Sequence, residues 1–426
     1  MLLDSLWIVL TGALVAGSCA MLGSFLVLRR MAMLGDAISH AVLPGLVIAF
    51  LISGSRGSLG MFIGAVALGL LTAFLVQFLT RRGIQNDAAL GVAFTFLFAL
   101  GVLLISLYGS QVDLDLDCVL YGEIAYTPFD LLFLGDLPFG PRPVWINAAL
   151  FVINLLLVLL LYKQFKISSF DPGLAAAVGI NVVAMHYLLM GLVSVTVVGA
   201  FESVGAILVV ALLIVPPATA YLLTDRLAPM IATAVGLGML ASLLGYMMAQ
   251  ALDVSIAGSI ALVCGVFFLA AFLFSPSQGI LSRVLARRWL SMQIVEEDAL
   301  LWAARNREGA AAEIFTKSDL LSGLDQPASR SRAALTRLKR AGFIARRNGG
   351  FVLTAAGRNA ALDLLRRHRL YESYLGDIGY PTDHIHESAD RGEHFLTPGL
   401  AKMVESEVGE RDEDPQGKPI PSSEAG

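Results

Sequence analysis

The sequence predicts a mainly α-helical protein in two parts: a polytopic transmembrane bundle of eight or nine helices, then a cytoplasmic winged-helix domain with a further helical region. Three observations carry this expectation. Residues 1–280 hold 9 Lys/Arg and 13 Asp/Glu, whereas residues 281–426 hold 21 of each. A charge at mid-bilayer costs about 2.5–3.5 kcal/mol, so a charge-poor apolar stretch of that length is membrane material. Runs of about 20 apolar residues, enough to cross hydrocarbon as a helix, recur throughout it. The tail instead has ordinary soluble composition, with helical periodicity followed by a short hairpin pattern. A net charge of −4 gives no bulk argument for a nucleic-acid partner.

The spans are expected at 5–28, 32–53, 58–79, 88–108, 143–162, 182–200, 204–223, 228–250 and 255–275. The count falls to eight if Phe201-Glu202-Ser203 is a break within the bilayer. The first run is too long for a signal-peptide core and lacks a basic region before it, so it reads as a span. Cys19, Cys118 and Cys264 are far apart, and no disulfide framework is expected. With Arg29 and Arg30 cytoplasmic, alternation puts Arg81, Arg82, Lys163, Lys166 and Arg226 on the same side. Only Arg56 and Arg142 lie opposite, a bias that leaves the tail in the cytoplasm of a plasma-membrane protein. The long outer loop, 109–142, carries Asp113, Asp115 and Asp117, which could gather cations or simply be solvated.

Ionisable residues inside spans mark sites or pathways. Asp36 and His40 are four apart, so a helix puts both on one face. A carboxylate and an imidazole can share a divalent transition metal; a structural Asp–His hydrogen bond is the alternative. The run Gly35-Asp36-Ala37-Ile38-Ser39-His40-Ala41-Val42-Leu43-Pro44-Gly45 resembles the second-helix signature of ABC-3 family metal permeases. Asp87-Ala88-Ala89-Leu90-Gly91, Phe170 through Asn181, and Val204 through Ala220 with Pro216-Pro217 are similar to other stretches of that family, in its order. The resemblance implies a manganese, zinc or iron importer subunit that works with a separate ATPase and an external metal-binding protein. It also implies that Asp36 and His40 line the metal path. A second permease copy or a different permease would complete the pore.

The loop 163–181 is cytoplasmic, begins with two lysines and contains a short helix-competent run, which suits docking as well as mere connection. The resemblance makes it the segment that couples to the ATPase, through Asp171, Pro172, Ala176 and Gly179. No GxxxxGK[ST] phosphate loop occurs in the sequence, so ATP hydrolysis is expected on another chain and this one is not expected to be an enzyme.

Residues 281–293, with Arg283, Arg287 and Arg288, read as a basic linker near anionic lipid headgroups. Helices are expected at Ile294–Arg307, Lys317–Leu324 and Arg330–Ala341, the last two separated by Asp325-Gln326-Pro327. A hairpin turning at Asn348-Gly349 follows. This is the layout of a winged helix, taken to span 294–357. Arg330, Arg332, Arg337, Lys339 and Arg340 make a candidate phosphate footprint, so DNA is a candidate partner; a solvated face is the alternative.

His368 and Glu372 are four apart. His386, Asp390, Glu393 and His394, at i, i+4, i+7 and i+8, would fall within about a 100° arc of one helix. Two imidazoles and two carboxylates on one stripe suit a divalent cation. The stretches Arg367 through Glu372, Ile385 through His394 and Asp414 through Pro421 resemble the iron- and manganese-dependent repressors of the diphtheria-toxin-repressor type. That resemblance implies a metal-binding/dimerisation region over 358–421 and adds Asp298 to the ligands. It leaves 422–426 as an unstructured tail. Asp390 stands where iron-responsive relatives carry cysteine, which favours a harder ion, Mn²⁺ first, with Fe²⁺ or Zn²⁺ as alternatives. Leu301 departs from the manganese type, which has a second carboxylate there. The expected function is a metal importer permease with a fused metal sensor. Its rivals are a membrane-anchored metal-dependent transcription regulator and a gradient-driven carrier.

Overall fold

The computed structural model describes residues 2–53, 58–108, 124–134, 137–305, 314–324, 326–381, 384–392, 394, 396, 398–409 and 411–421. Arg56, Asp113, Asp115, Asp117, Cys118, Asp325, Glu393 and the 422–426 tail lie outside the described residues. The chain forms two compact units, Met1–Arg283 and Val284–Gly426.

The first unit contains α1 (Leu2–Leu28), α2 (Leu34–Ser53), α3 (Ser58–Arg81) and α4 (Asn86–Tyr108). A 3-10 turn (Ile124–Phe129) and an antiparallel hairpin of β1 (Leu131–Leu134) and β2 (Leu137–Pro141) follow. Then come α5 (Arg142–Leu160), α6 (Tyr162–Phe170), α7 (Pro172–Ala177), α8 (Val182–Val204), α9 (Ala206–Leu223), α10 (Leu227–Leu252) and α11 (Ile256–Phe274). Nine of the helices among the described residues are long and apolar enough to cross a membrane. Lipid offers the backbone no hydrogen bonds, so a spanning segment must satisfy its own amides, which the helix does. Hydroxyls inside the spans follow the same rule: Ser24, Ser39, Thr72 and Ser242 each donate to the carbonyl four residues earlier. Asn154 donates instead to Thr196 and Asn147 to Ser203, tying α5 to α8.

The structure makes the stretch around Glu202 a joint between two helices. Phe201–Val204 stay helical, and the break falls on one residue, Gly205, at φ 81° and ψ 162°. That conformation is essentially open only to glycine. Val204 and Ala206 on either side are buried. α2 crosses α3 at a second close approach, where a Cβ on Gly45 would meet the Gly64 carbonyl oxygen at 2.5 Å. Val15, Leu22, Phe25, Ile38, Val193, Val197 and Leu212 fill the core between the helices. Cys19 and Cys264 are free and buried.

α12 (Ile280–Arg305) is longer than the expected helix: the stretch read as a basic linker is helical. Beyond it lie α13 (Lys317–Gly323), α14 (Ala328–Arg340), β3 (Ile344–Arg347) and β4 (Gly350–Leu353). A capping box of Thr316 and Asp319 starts α13. β3 and β4 pair around Asn348 and Gly349, both at positive φ, as a two-residue hairpin turn requires. Leu300, Leu301, Leu320, Leu335, Leu338, Ile344, Leu353 and Leu365 form one core. α15 (Ala355–Asp377), α16 (Ile385–Gly392) and α17 (Pro398–Val408) complete the second unit. Its last stretch is held by Arg369, buried beside Asp414 at 3.6 Å, while Asp414 accepts from the amides of Gln416 and Lys418.

Candidate metal centres

α2 puts Asp36 and His40 on one face, with His40 Nε2 3.5 Å from Asp36 Oδ1. Both side chains are about one-third exposed, and the imidazole packs against Phe94 and Phe98 of α4. The two donors form a pair that leaves most of a cation's coordination sphere to other ligands.

Asp171 caps α7 by accepting from the Leu174 amide at 2.9 Å, and Pro172 takes the first helical position, where no amide is needed. Gly179, at φ 83°, ends the segment, and the Asn181 carboxamide oxygen caps α8 by accepting from the Ala184 amide. Ala175 is buried, Ala176 exposed. Phe170 at the end of α6, Leu174 in α7 and Val178 just after it are exposed apolar residues that sequence reasoning missed. Arg29 at the end of α1 donates to Ser168 and Ser169 and so fixes α6 from behind.

In the second unit the expected ligands form two groups. His368, His386 and Asp390 bring one donor atom each within 4.8 Å of one another, and among the described residues no other such group of three occurs. Glu372 belongs with them. Its Oε1 lies 2.6 Å from His386 Nδ1 and 3.1 Å from His368 Nε2. His368 Nδ1 lies 3.5 Å from Asp390 Oδ1, and the two imidazoles meet edge to face. Burial raises the Glu372 carboxyl, yet hydrogen bonds and charge from His368 and His386 outweigh it and bring it down to about 2.

His394 does not continue the stripe expected from its spacing. α16 stops at Gly392, glycine being a poor helix former, and His394 turns to α12 instead. Its Nδ1 lies 2.7 Å from Glu297 Oε2, and its Nε2 lies 3.1 Å from Asp298 Oδ1. Glu297 was not anticipated; the consecutive acids Glu296-Glu297-Asp298 were the available signal. Burial raises the Glu297 carboxyl, but hydrogen bonds from His394 and Gln293 hold it below the usual range. Leu301, where the sequence departs from the two-carboxylate pattern it otherwise resembles, is buried in the core. One turn earlier, Glu297 provides a carboxylate at the surface of that core. Arg305 also enters, with Nη2 3.1 Å from Asp390 Oδ1.

The donor chemistry fits a divalent transition cation: imidazole nitrogens and carboxylate oxygens converge in the group around His368 and meet in pairs at His394, with no thiolate among them. His368, Glu372, His386 and Asp390 would hold one ion; His394 through Nε2 and Asp298 would give two donors to a second, with Glu297 orienting the imidazole from Nδ1. The ion would supply a charge that neutralises the buried carboxylates.

Of the basic residues on and beside the third helix, Arg330, Arg332, Lys339 and Arg340 are exposed. Arg337 is engaged, its Nε 2.5 Å from Glu296 Oε1.

Residues 5–275 match the ABC 3 transport family, and residues 354–422 match the iron dependent repressor, metal binding and dimerisation domain. The chain is 53% identical over 287 residues to a manganese transport system membrane protein, MntD, of Bacillus subtilis, covering 67% of this chain and 97% of that one. It is 38% identical over 358 residues to a zinc transport system membrane protein, TroD, of Treponema pallidum, covering 83% and 97%. That alignment is longer than the first unit, so it runs into the second. Among solved structures, PsaBC from Streptococcus pneumoniae in complex with Fab superposes with a TM-score of 0.53 at 37% identity, over 64% of this chain and 91% of that one.

Proposed function

Because the chain belongs to the ABC 3 transport family, a multi-pass membrane family, we propose that it is the permease subunit of an ATP-binding-cassette importer for a divalent transition metal, fused to a cytoplasmic metal-sensing unit. The observation that carries this reading is the union in one chain of a permease-type bundle and a repressor-type region whose imidazole and carboxylate donors converge. Manganese is the first candidate cargo and regulatory ion, supported by the relative named for manganese and by the carboxylate at Asp390. Iron and zinc are the alternatives.

Asp36 and His40 would receive the ion within the bundle. Phe170, Leu174 and Val178, held by the Asp171 cap, suit docking of a separate ATPase, since the chain lacks a phosphate loop of its own. An external metal-binding protein would deliver the ion, and a second permease subunit, identical or different, would complete the path. Uptake of radioactive manganese should fall to background in cells carrying Asp36→Ala or His40→Ala. Accumulation at the parental rate would sink the transport reading. The sensing unit would throttle uptake when cytoplasmic metal is replete; inhibition unchanged after deletion of residues 294–426 would remove that step.

A second reading, metal-dependent DNA binding, is favoured by the exposure of Arg330, Arg332, Lys339 and Arg340 on one module. Fluorescence anisotropy of labelled DNA with the full chain in nanodiscs, with and without Mn²⁺, separates the two.

A further inference from the structure

Two halves of α12 differ in what covers them. Its C-terminal half buries Val295, Ala299, Leu300, Leu301 and Ala303. Its N-terminal half exposes Ile280, Leu281, Val284, Leu285, Trp289 and Leu290, with Trp289 60% exposed. Leu281, Val284, Leu285 and Trp289 fall within about a 140° arc at helical periodicity. Arg287 lies about 60° outside that arc, Arg283 on the face opposite it, and Arg288 within it on a stem long enough to carry its guanidinium outward. No acidic residue occurs between Asp253 and Glu296. An apolar face with aromatic and basic residues and no acid is the composition of a helix that lies in the headgroup layer of a membrane.

The place of the helix in the chain names its occupant. α11 ends at Phe274, and only Ser275–Gly279 separate it from α12. Five residues reach at most about 17 Å, and these are folded back. Ser282 Oγ donates to the carbonyls of Ser275 and Gly279 at 2.8 Å each, and Ser275 Oγ donates to the Leu222 carbonyl. The helix therefore starts where the last span leaves the bilayer.

We infer that residues 280–290 form a membrane-surface helix that seats its apolar arc among acyl chains and pairs Arg283, Arg287 and Arg288 with anionic lipid headgroups. The same helix carries Glu297 and Asp298, eight and nine residues beyond Trp289 or about 12–14 Å along the axis. The inference rests on the membrane-spanning assignment and not on the identity of the cargo.

The test uses the wild-type full chain in nanodiscs of phosphatidylcholine alone or with added phosphatidylglycerol. Trypsin cleavage after Arg283, Arg287 and Arg288 is followed by mass spectrometry. Three arginines at an anionic surface shift partitioning by on the order of a hundredfold, so cleavage should slow at least about tenfold in the anionic discs. As a second measurement, a chain with Trp7, Trp145 and Trp302 replaced by Phe leaves Trp289 as its one tryptophan, which lipids with brominated acyl chains should quench. Equal cleavage in both lipids without quenching overturns the inference. So does protection that follows the number of chains per disc, which indicates a second copy, or protection that appears only on adding an ATPase subunit.

Discussion

His386 Nδ1 lies 2.6 Å from Glu372 Oε1, and the carboxyl it meets is 2% exposed. An acceptor so buried is stable as a carboxylate only because two imidazoles face it. Glu372 is brought from 4.5 down to about 2. A depressed carboxyl contributes stability at pH above its unfolded value, and that stability fades as pH falls from about 4.5 towards 2. With 1.36 kcal/mol per pH unit, the contribution at neutral pH is at most about 3 kcal/mol. In chelator-treated protein at pH 7, Glu372→Gln should raise amide hydrogen exchange across Ala355–Asp377, and the difference from wild type should shrink at acid pH. A difference that does not change with pH would show that packing, not charge, makes the contribution.

The contact between Glu297 and His394 leads to a second expectation. A carboxylate that orients a ligating imidazole is typically worth about 10–100-fold in metal affinity. Titration of the full chain with Mn²⁺, followed by electron paramagnetic resonance, should resolve two classes of site. His368→Ala or Asp390→Ala should remove one class, and His394→Ala the other. Glu297→Ala should weaken only the His394 class, by about 10–100-fold. Loss of both classes together would mean that the two groups bind as one.

Much of this arrangement was legible in the sequence, and what was missed has physical reasons. The spans could be read because lipid allows a buried backbone few solutions, so composition and length suffice to find them. The hairpin Leu131–Pro141 was not foreseen: its strands are four and five residues long and the second contains Gly140 and two prolines. Residues 281–293 read as a linker because their arginines, set near anionic headgroups, outweighed the helical period that Leu281, Val284, Leu285 and Trp289 carry. His368, Glu372, His386 and Asp390 were found by spacing because α15 and α16 are regular helices there. His394 was placed on the wrong face because helix spacing holds only as far as the helix, and α16 ends at Gly392. Glu297 was missed because attention fell on Asp298 and Leu301, and only the fold reveals which side of α12 His394 approaches.

The exposed apolar side chains on the proposed coupling segment predict a selective defect. Leu174→Asp puts a charge in the middle of Phe170, Leu174 and Val178 without touching a metal ligand. ATPase co-purification and metal uptake should both fall at least about tenfold, as for loss of an apolar anchor worth 2 kcal/mol or more. Mn²⁺ binding to the second unit should be unchanged. Asp171→Ala acts differently: loss of the cap costs about 1 kcal/mol of local helix stability, so a partial defect is expected. Normal co-purification with Leu174→Asp would move the docking surface elsewhere.

The joint at Gly205 carries the last prediction. α8 and α9 are both apolar and both long enough to span, yet only one residue separates them. At φ 81° and ψ 162° an L side chain clashes with its own backbone, at a cost of about 1–3 kcal/mol. Val204 and Ala206 are buried, so the joint has little room to relax into an ordinary turn. Gly205→Ala should therefore lower the thermal midpoint of the membrane unit, read by loss of the monodisperse peak on size exclusion after heating. Gly236→Ala is the control, because a Cβ there meets nothing within 4 Å and the residue sits inside α10. In a helix interior alanine is favoured over glycine by about 1 kcal/mol, so this variant should be neutral or more stable. Equal stability of Gly205→Ala and wild type would mean that the two helices can meet through a joint any residue adopts.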